Sequence, residues 1–258
     1  MKIQSIKARE IISSGATPSI EVTVTLKNGI QGKASVPFGA SWGSHEAYIL
    51  LDKGKRYLGH GMLKAVNNVN KKIAPKLKGE EASNQFAVDR LLNNLDGTPN
   101  KRKLGANAIL GVSLAVARAS ANNLKLPLYA YIRKVFKLPI KKYILPNPQM
   151  VVIEGGKHAD NSTDFQEYLI SPLKGSIKEE VRAGLETYLM LKKILKKNGF
   201  TTNIGNEGAF APVGMKSNEQ PIKFILQAIK KAGYNPKDIG LGFDAAATEF
   251  FVKGKYVL

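Results

Sequence analysis

The chain has 258 residues, 43% of them hydrophobic, which is enough for one large globular domain or two ordinary ones. It contains no cysteine, and this excludes disulfides, thiolate metal sites and cysteine nucleophiles. No stretch approaches the roughly 20 apolar residues of a membrane helix, and the N-terminus lacks the apolar core of a secretory signal. A cytoplasmic location is therefore expected.

The net charge of +19 is high. A basic excess of this size can mark a protein that binds nucleic acid or another polyanion. The lysines are scattered, as in the pairs Lys71-Lys72 and Lys230-Lys231, and they are not interleaved with aromatic residues as in single-strand binders. The pattern favours a solvated, lysine-rich surface, and nucleic-acid binding is not expected.

The N-terminal residues predict three strands. Residues 19–26 alternate apolar and polar side chains, as a half-buried strand requires. Asn28-Gly29 is a strong hairpin signal, and residues 30–36 return as a second strand. Together with residues 2–9, these segments predict a small antiparallel meander.

Helical patterns follow the meander. The first helix is expected to begin after Gly61 and to end at Pro75, and Ser83 is expected to cap the next one. Residues 104–122 are rich in alanine and other small residues, which is typical of a closely packed buried helix. A sheet followed by helices predicts an α+β domain over residues 1–135.

The pattern changes at about residue 143. Short apolar runs predict strands at 149–153, 165–170 and 239–243. Capping boxes at Ser176 with Glu179 and at Ser217 with Gln220 predict two helices between the last two strands. Strands that alternate with helices predict a parallel α/β sheet over residues 143–258.

Polar residues stand at or just beyond the predicted strand ends: His158, Gln166, Glu167, Glu207 and Asp244. In a β/α barrel the chemistry lies at the C-terminal ends of the strands. A barrel needs roughly 250 residues, whereas about 115 remain after residue 143. The second domain is therefore expected to be an incomplete barrel.

Six strings along the chain resemble the enolase family. They are VPFGASWGSHEA (36–47), RYLGHGMLKAVNNVN (56–70), DGTPNKRKLGANAILGVSLAVARA (96–119), EGGKHADNSTDFQEYLISP (154–172), NIGNEGAFAP (203–212) and GFDAAATEFF (242–251). The resemblance implies an α+β N-terminal domain followed by an enolase-type TIM barrel, here incomplete. It also implies a glycolytic lyase that reversibly dehydrates 2-phosphoglycerate to phosphoenolpyruvate with Mg²⁺.

The resemblance assigns roles to four residues around the leaving group. Glu207, in NIGNEG, matches the general acid that assists departure of hydroxide. Glu167, in FQEY, matches its partner, and Gln166 lines the same site. His158, in GGKHAD, matches a histidine on a loop that closes over the substrate.

The resemblance also implies a metal site. Asp244, in GFDAA, matches the first carboxylate ligand of the tightly bound Mg²⁺, and Ser41, in GASWG, matches a loop serine that helps to hold a second Mg²⁺. In the family the other metal carboxylates, the lysine base and the phosphate-binding residues lie further downstream. One carboxylate is too few for an octahedral oxygen site, so the chain is expected to be truncated and inactive alone.

The chain departs from the family pattern at several positions. Phe38 and Trp42 stand where the family has small hydroxyl residues in the metal-binding loop. Asn206 replaces an acidic residue beside Glu207, and Glu154 replaces an asparagine.

A homodimer is implied for the full-length form, although Gly15-Ala16-Thr17 replaces an Arg-Gly-Asn that supports the dimer contact. Three interpretations stay open. The chain is a truncated enolase, one half of a split enolase, or a non-catalytic basic protein derived from enolase that binds RNA or an anionic surface.

Overall fold

The computed structural model describes residues 1–37, 39, 41–139 and 142–258, so Phe38 lies outside the described residues. The chain divides into two compact units. The first comprises Met1–Gly39 and His45–Lys142, and the second comprises residues 41–44 and Tyr143–Leu258.

The first unit opens with a three-stranded antiparallel sheet in the order β1 (Ile3–Ile12), β2 (Pro18–Leu26), β3 (Gln31–Val36). Between β2 and β3, Gly29 has a φ of 83° and donates its N–H to the carbonyl of Leu26. The predicted antiparallel meander is therefore confirmed. One face of β2 lies in the core, through Ile20, Val22, Val24 and Leu26.

Helices complete this unit. They are a 3₁₀ turn Arg56–Gly59, α1 (Leu63–Asn67), a π-helical segment Asn68–Ile73, α2 (Ala74–Leu77), α3 (Gln85–Asp96), α4 (Ala106–Asn123) and α5 (Leu128–Val135). The helix α4 packs on β2 and β3. The contact is close at Gly32, where an added Cβ would lie 2.1 Å from the backbone nitrogen of Ala119.

Two predicted helix boundaries are wrong. The first helix continues past Pro75 to Leu77, because Pro75 stands at the start of α2, directly after the π-helical turn. The cap of α3 is Asn84 rather than Ser83, and its side chain accepts the N–H of Ala87.

The second unit contains a sheet in the order β4 (Met150–Glu154), β5 (Glu167–Pro172), β6 (Ile239–Asp244). Both neighbouring pairs are antiparallel, so the predicted parallel sheet is wrong. A loop over residues 155–166, rather than a crossover helix, joins β4 to β5 and reverses the chain. Between β5 and β6 the chain passes through two helices, α6 (Ile177–Lys197) and α7 (Glu219–Lys231), and it therefore enters β6 in the opposite direction.

One of the two predicted caps in this unit is confirmed. Ser176 caps α6 by accepting the N–H of Glu179. Ser217 does not cap α7, which begins after Asn218 without a side-chain cap. The Asn218 side chain instead accepts the N–H of Asp164 at 3.0 Å, and it thereby holds the loop that precedes β5.

The second core lies between its sheet and the two long helices, with Ile153, Tyr168, Leu191 and Ile225 among its buried members. The remaining elements are three 3₁₀ turns, Gly156–His158, Pro236–Asp238 and Ala247–Phe250, and a hairpin of β7 (Phe251–Val252) and β8 (Lys255–Tyr256). Among the residues that the structure describes, no helix has the length and apolar character needed to cross a membrane.

Candidate active site

The reversed direction of β5 brings three carboxylates to one edge of the second sheet. Glu167 is the first residue of β5, and its register partners are Glu154 at the end of β4 and Asp244 at the end of β6. Sequence analysis had placed Glu167 at the end of a strand. It lies at the site because the start of an antiparallel strand meets the ends of its neighbours.

Glu167, His158 and Glu207 form a compact group. One ligand-type atom from each of the three side chains lies within 4.8 Å of the other two. The Nδ1 of His158 is 3.6 Å from an oxygen of Glu167, and the two side chains are only 6% and 14% exposed. Glu207 is exposed, so the group is accessible to solvent on the Glu207 side.

The pKa of Glu167 is raised above its ordinary value. Burial is the largest cause, because it disfavours the charged form, and the negative charges of Glu207 and Asp244 add to it. The charge of His158 opposes the shift. Glu167 therefore keeps a proton to higher pH than a solvent-exposed glutamate, which suits a group that holds or shares a proton during a reaction.

Glu207 lies on a loop that follows α6. Its backbone N–H and that of Ala209 donate to Oε1 of Glu154, at 3.1 and 2.9 Å. Glu154 is completely buried. The sequence pattern predicts no role for Glu154 beyond its departure from the family. The feature that could have indicated one is an acidic residue at the end of an apolar run.

Gln166 precedes Glu167, and its side chain is buried. Within the described parts of the chain, its Oε1 has no hydrogen-bond partner, and the same holds for Nδ1 of His158. Buried polar atoms ordinarily have a partner. These two atoms are therefore available to a bound molecule.

Ser41 and Asp244 belong to the same unit. Residues 41–44 group with the second unit, although their neighbours in sequence belong to the first. The backbone N–H of Ser44 donates to Oγ1 of Thr248, four residues after Asp244, at 3.5 Å. Ser41 itself is half-buried.

The donor atoms at this edge fit a hard divalent cation. The charges of Glu207 and Asp244 add to the burial that raises the pKa of Glu167, and carboxylate oxygens of this kind suit Mg²⁺. Among the described residues, however, the group with metal-ligand spacing is His158, Glu167 and Glu207 rather than Asp244 and Ser41. The exposed Asp244 carboxylate accepts the N–H of Ala246 at 2.9 Å.

The fold and the site define a chain with an α+β unit followed in sequence by a unit whose sheet edge carries an acidic cluster and a histidine. The family model described as the enolase N-terminal domain matches residues 3–132. The model of the enolase C-terminal TIM barrel domain matches residues 142–258. The chain therefore belongs to the enolase family, as its sequence motifs predicted. By this resemblance it is a lyase-type enzyme that acts on a small molecule.

Proposed function

We propose that the protein takes part in the Mg²⁺-dependent, reversible dehydration of 2-phosphoglycerate to phosphoenolpyruvate in cytoplasmic glycolysis. The observation that carries this proposal is the grouping of the half-buried Glu167 with Glu207 and His158 within 4.8 Å. The dehydration removes a proton from the carbon beside a carboxylate, which the family resemblance assigns to a lysine base, and expels hydroxide from the next carbon. Hydroxide is a poor leaving group, so an acid must protonate it as it departs.

The two glutamates are the proposed catalytic residues. Glu207, on the exposed side of the group, would donate the proton that turns the leaving hydroxide into water. Glu167 would hold a proton beside it, because burial and two neighbouring carboxylates raise its pKa. Two carboxyl groups whose environments differ in this way suit the acid side of a dehydration.

His158 and Gln166 are the proposed substrate-binding residues. Their Nδ1 and Oε1 atoms are buried and have no hydrogen-bond partner in the described parts of the chain. A buried polar atom without a partner costs roughly 1–3 kcal/mol. A substrate hydroxyl that donates to Oε1 of Gln166 and accepts an N–H from Nδ1 of His158 would recover this cost on binding.

Asp244 and Ser41 are the proposed metal ligands. Asp244 would give a carboxylate oxygen, and Ser41 would reach the site from residues 41–44, which group with the same unit. When bound, Mg²⁺ supplies the positive charge that stabilises the enediolate formed from the substrate carboxylate. We further propose domain bounds of 1–135 and 143–258 and assembly as a homodimer.

The test is formation of phosphoenolpyruvate from 2-phosphoglycerate by the purified full-length protein with and without Mg²⁺. The Glu207→Gln variant is expected to lose roughly 10²–10⁴-fold in kcat, as removal of a general acid does. Glu219→Gln is the matched control, since Glu219 is exposed and, among the described residues, forms an ion pair only with Lys223, and its kcat should equal that of the wild type. A Glu207→Gln variant with full activity would contradict the assigned roles, and wild-type protein that neither binds nor converts 2-phosphoglycerate would contradict the proposed function.

A further inference from the structure

Glu154 is fixed in place by its own backbone. Its N–H donates to the carbonyl of Phe210 at 2.8 Å, and its carbonyl accepts from the Ser162 hydroxyl at 3.2 Å. The residue ends β4 and its side chain is fully buried. The carboxylate is therefore attached to the rigid end of β4 and has little freedom to move.

This carboxylate binds the loop that carries the proposed acid. Its Oε1 accepts the N–H groups of both Glu207 and Ala209, at 3.1 and 2.9 Å. The two hydrogen bonds, from residues on either side of Gly208, fix the backbone on both sides of the point where the chain turns.

The other carboxylate oxygen also contacts the loop. A Cβ added to Gly205 would lie 2.2 Å from Oε2 of Glu154, so the carboxylate packs directly against the loop backbone at that residue. The Tyr188 hydroxyl also donates to the carbonyl of Gly208 at 2.8 Å. The loop is thus held by a strand residue and by a residue of α6.

We propose that Glu154 is a positioning residue that sets the location of Glu207 through the backbone of this loop. The inference rests on the proposed function for its effect on catalysis, but the contacts themselves do not depend on it. A displacement of about 1 Å at a reacting group can lower a rate by roughly 10²-fold. The buried carboxylate is therefore expected to affect the rate of reaction more than the binding of substrate.

The first test compares Glu154→Gln with Glu154→Leu in the purified protein with Mg²⁺. Glutamine keeps an Oε1 acceptor, so hydrogen exchange at the amides of Glu207 and Ala209 should stay slow and kcat should stay within about threefold of wild type. Leucine removes the acceptor, so exchange at both amides should accelerate at least about tenfold and kcat should fall on the order of 10–100-fold, with KM little changed.

Glu180→Leu is the matched control for burial. Glu180 is also a buried acid of the second unit, but it accepts from Asn147 rather than from the loop. This variant should leave exchange at Glu207 and Ala209 as slow as in the wild type. Unchanged exchange in Glu154→Leu, or equal acceleration in Glu180→Leu, would overturn the inference.

The second test serves if Glu154→Leu fails to fold. Glu154→Asn shortens the side chain and withdraws the acceptor, so exchange at the amides of Glu207 and Ala209 should accelerate and kcat should fall. Unchanged exchange in this variant would contradict the positioning role. Amide exchange needs no turnover. Wild-type protein without enolase activity would therefore contradict the proposed function, and exchange would still decide the positioning role.

Discussion

At the scale of single residues, Gly205 is a position where the structure leaves no room for a side chain. A methyl group there would meet the buried Oε2 of Glu154, whose carboxylate is already held by two backbone N–H groups. Gly205→Ala is expected to lower the free energy of unfolding by about 1–3 kcal/mol, the usual cost of overpacking, and to lower kcat by displacing Glu207. Urea unfolding and steady-state kinetics measure both effects.

Gly15→Ala is the control for this prediction, because an added Cβ at Gly15 has no atom within 4 Å among the described residues. Its effect on stability should stay within about 0.5 kcal/mol, as for other surface changes. If Gly205→Ala were as stable as the wild type, the loop would accommodate the methyl group by moving, and it would not fix the position of Glu207.

Single residues also show how far the sequence leads to the site. The motifs pointed to His158, Glu167 and Glu207, and the structure brings these three side chains together. Glu154 was not identified as part of the site, because its role depends on which backbone N–H groups lie opposite its carboxylate. Such contacts join residues more than 50 positions apart, and no local pattern records them.

At the scale of elements, one carboxylate ties β1 to the start of the helical region. Glu10 accepts the backbone N–H of Met62 at 2.7 Å and a guanidinium N–H of Arg56 at 2.9 Å. The hydrogen bond from Arg56 is the largest reason why the pKa of Glu10 lies below its ordinary value of 4.5, and the N–H of Met62 adds to it. The ionised form therefore stabilises the folded state.

We expect Glu10→Gln to lower the free energy of unfolding by about 1 kcal/mol at neutral pH, a modest loss because the Arg56 side chain is 45% exposed to solvent. A depressed pKa gives stability that is present above 4.5 and is lost as the pH falls through the folded-state pKa. The difference between variant and wild type should therefore shrink in acid. Denaturant unfolding at a series of pH values measures it.

The exposed Glu179–Arg182 pair of α6 supplies the comparison. Glu179→Gln should cost under about 0.5 kcal/mol at any pH, as exposed pairs usually do. A Glu10→Gln effect that persists unchanged at low pH would mean that the carboxylate charge is not its cause.

The sequence predicts a strand or helix correctly where the relevant pattern lies within a few residues, and wrongly where the arrangement depends on distant parts of the chain. The alternation in β2 and the turn at Gly29 specify the first sheet, and both lie within a few residues of each other. The direction of β5 depends instead on whether a loop or a helix joins it to β4. Short apolar runs do not contain that information, so the predicted parallel sheet was wrong.

At the scale of the whole molecule, the charge of +19 is the feature with the broadest effect. Four exposed lysines line one groove of the first unit: Lys71, Lys72, Lys76 and Lys103. None of them forms an ion pair with any residue that the structure describes. Salt is therefore expected to screen any attraction between this groove and a polyanion.

Since a dedicated nucleic-acid site is not expected, we expect single-stranded RNA to associate only through non-specific charge attraction, weakly at low salt, and to dissociate near physiological ionic strength, where the Debye length is about 8 Å. Replacing Lys71 and Lys72 by glutamate should reduce the low-salt binding more than the same change at Lys230 and Lys231, which follow one another at the end of α7. Filter binding over a salt series measures both. Tight binding that survives high salt would instead favour a dedicated RNA-binding protein.

Each of the two units is a continuous stretch of the chain except at one place. Composition and pattern change near residue 143, and the second unit resumes at Tyr143. Residues 41–44, however, group with the second unit from within the sequence of the first. That assignment depends on distant contacts such as Ser44 with Thr248, and the sequence pattern does not contain them.

Residues 41–44 also contain a natural fluorescent probe. Trp42 is the single tryptophan of the chain, against nine tyrosines, and its side chain is 48% exposed. Selective excitation of the indole therefore reports from the loop that contains Ser41 and from nowhere else. A substrate or cation that changes the exposure of this loop would shift the emission maximum, so ligand titrations can be followed by intrinsic fluorescence without a dye or an engineered label.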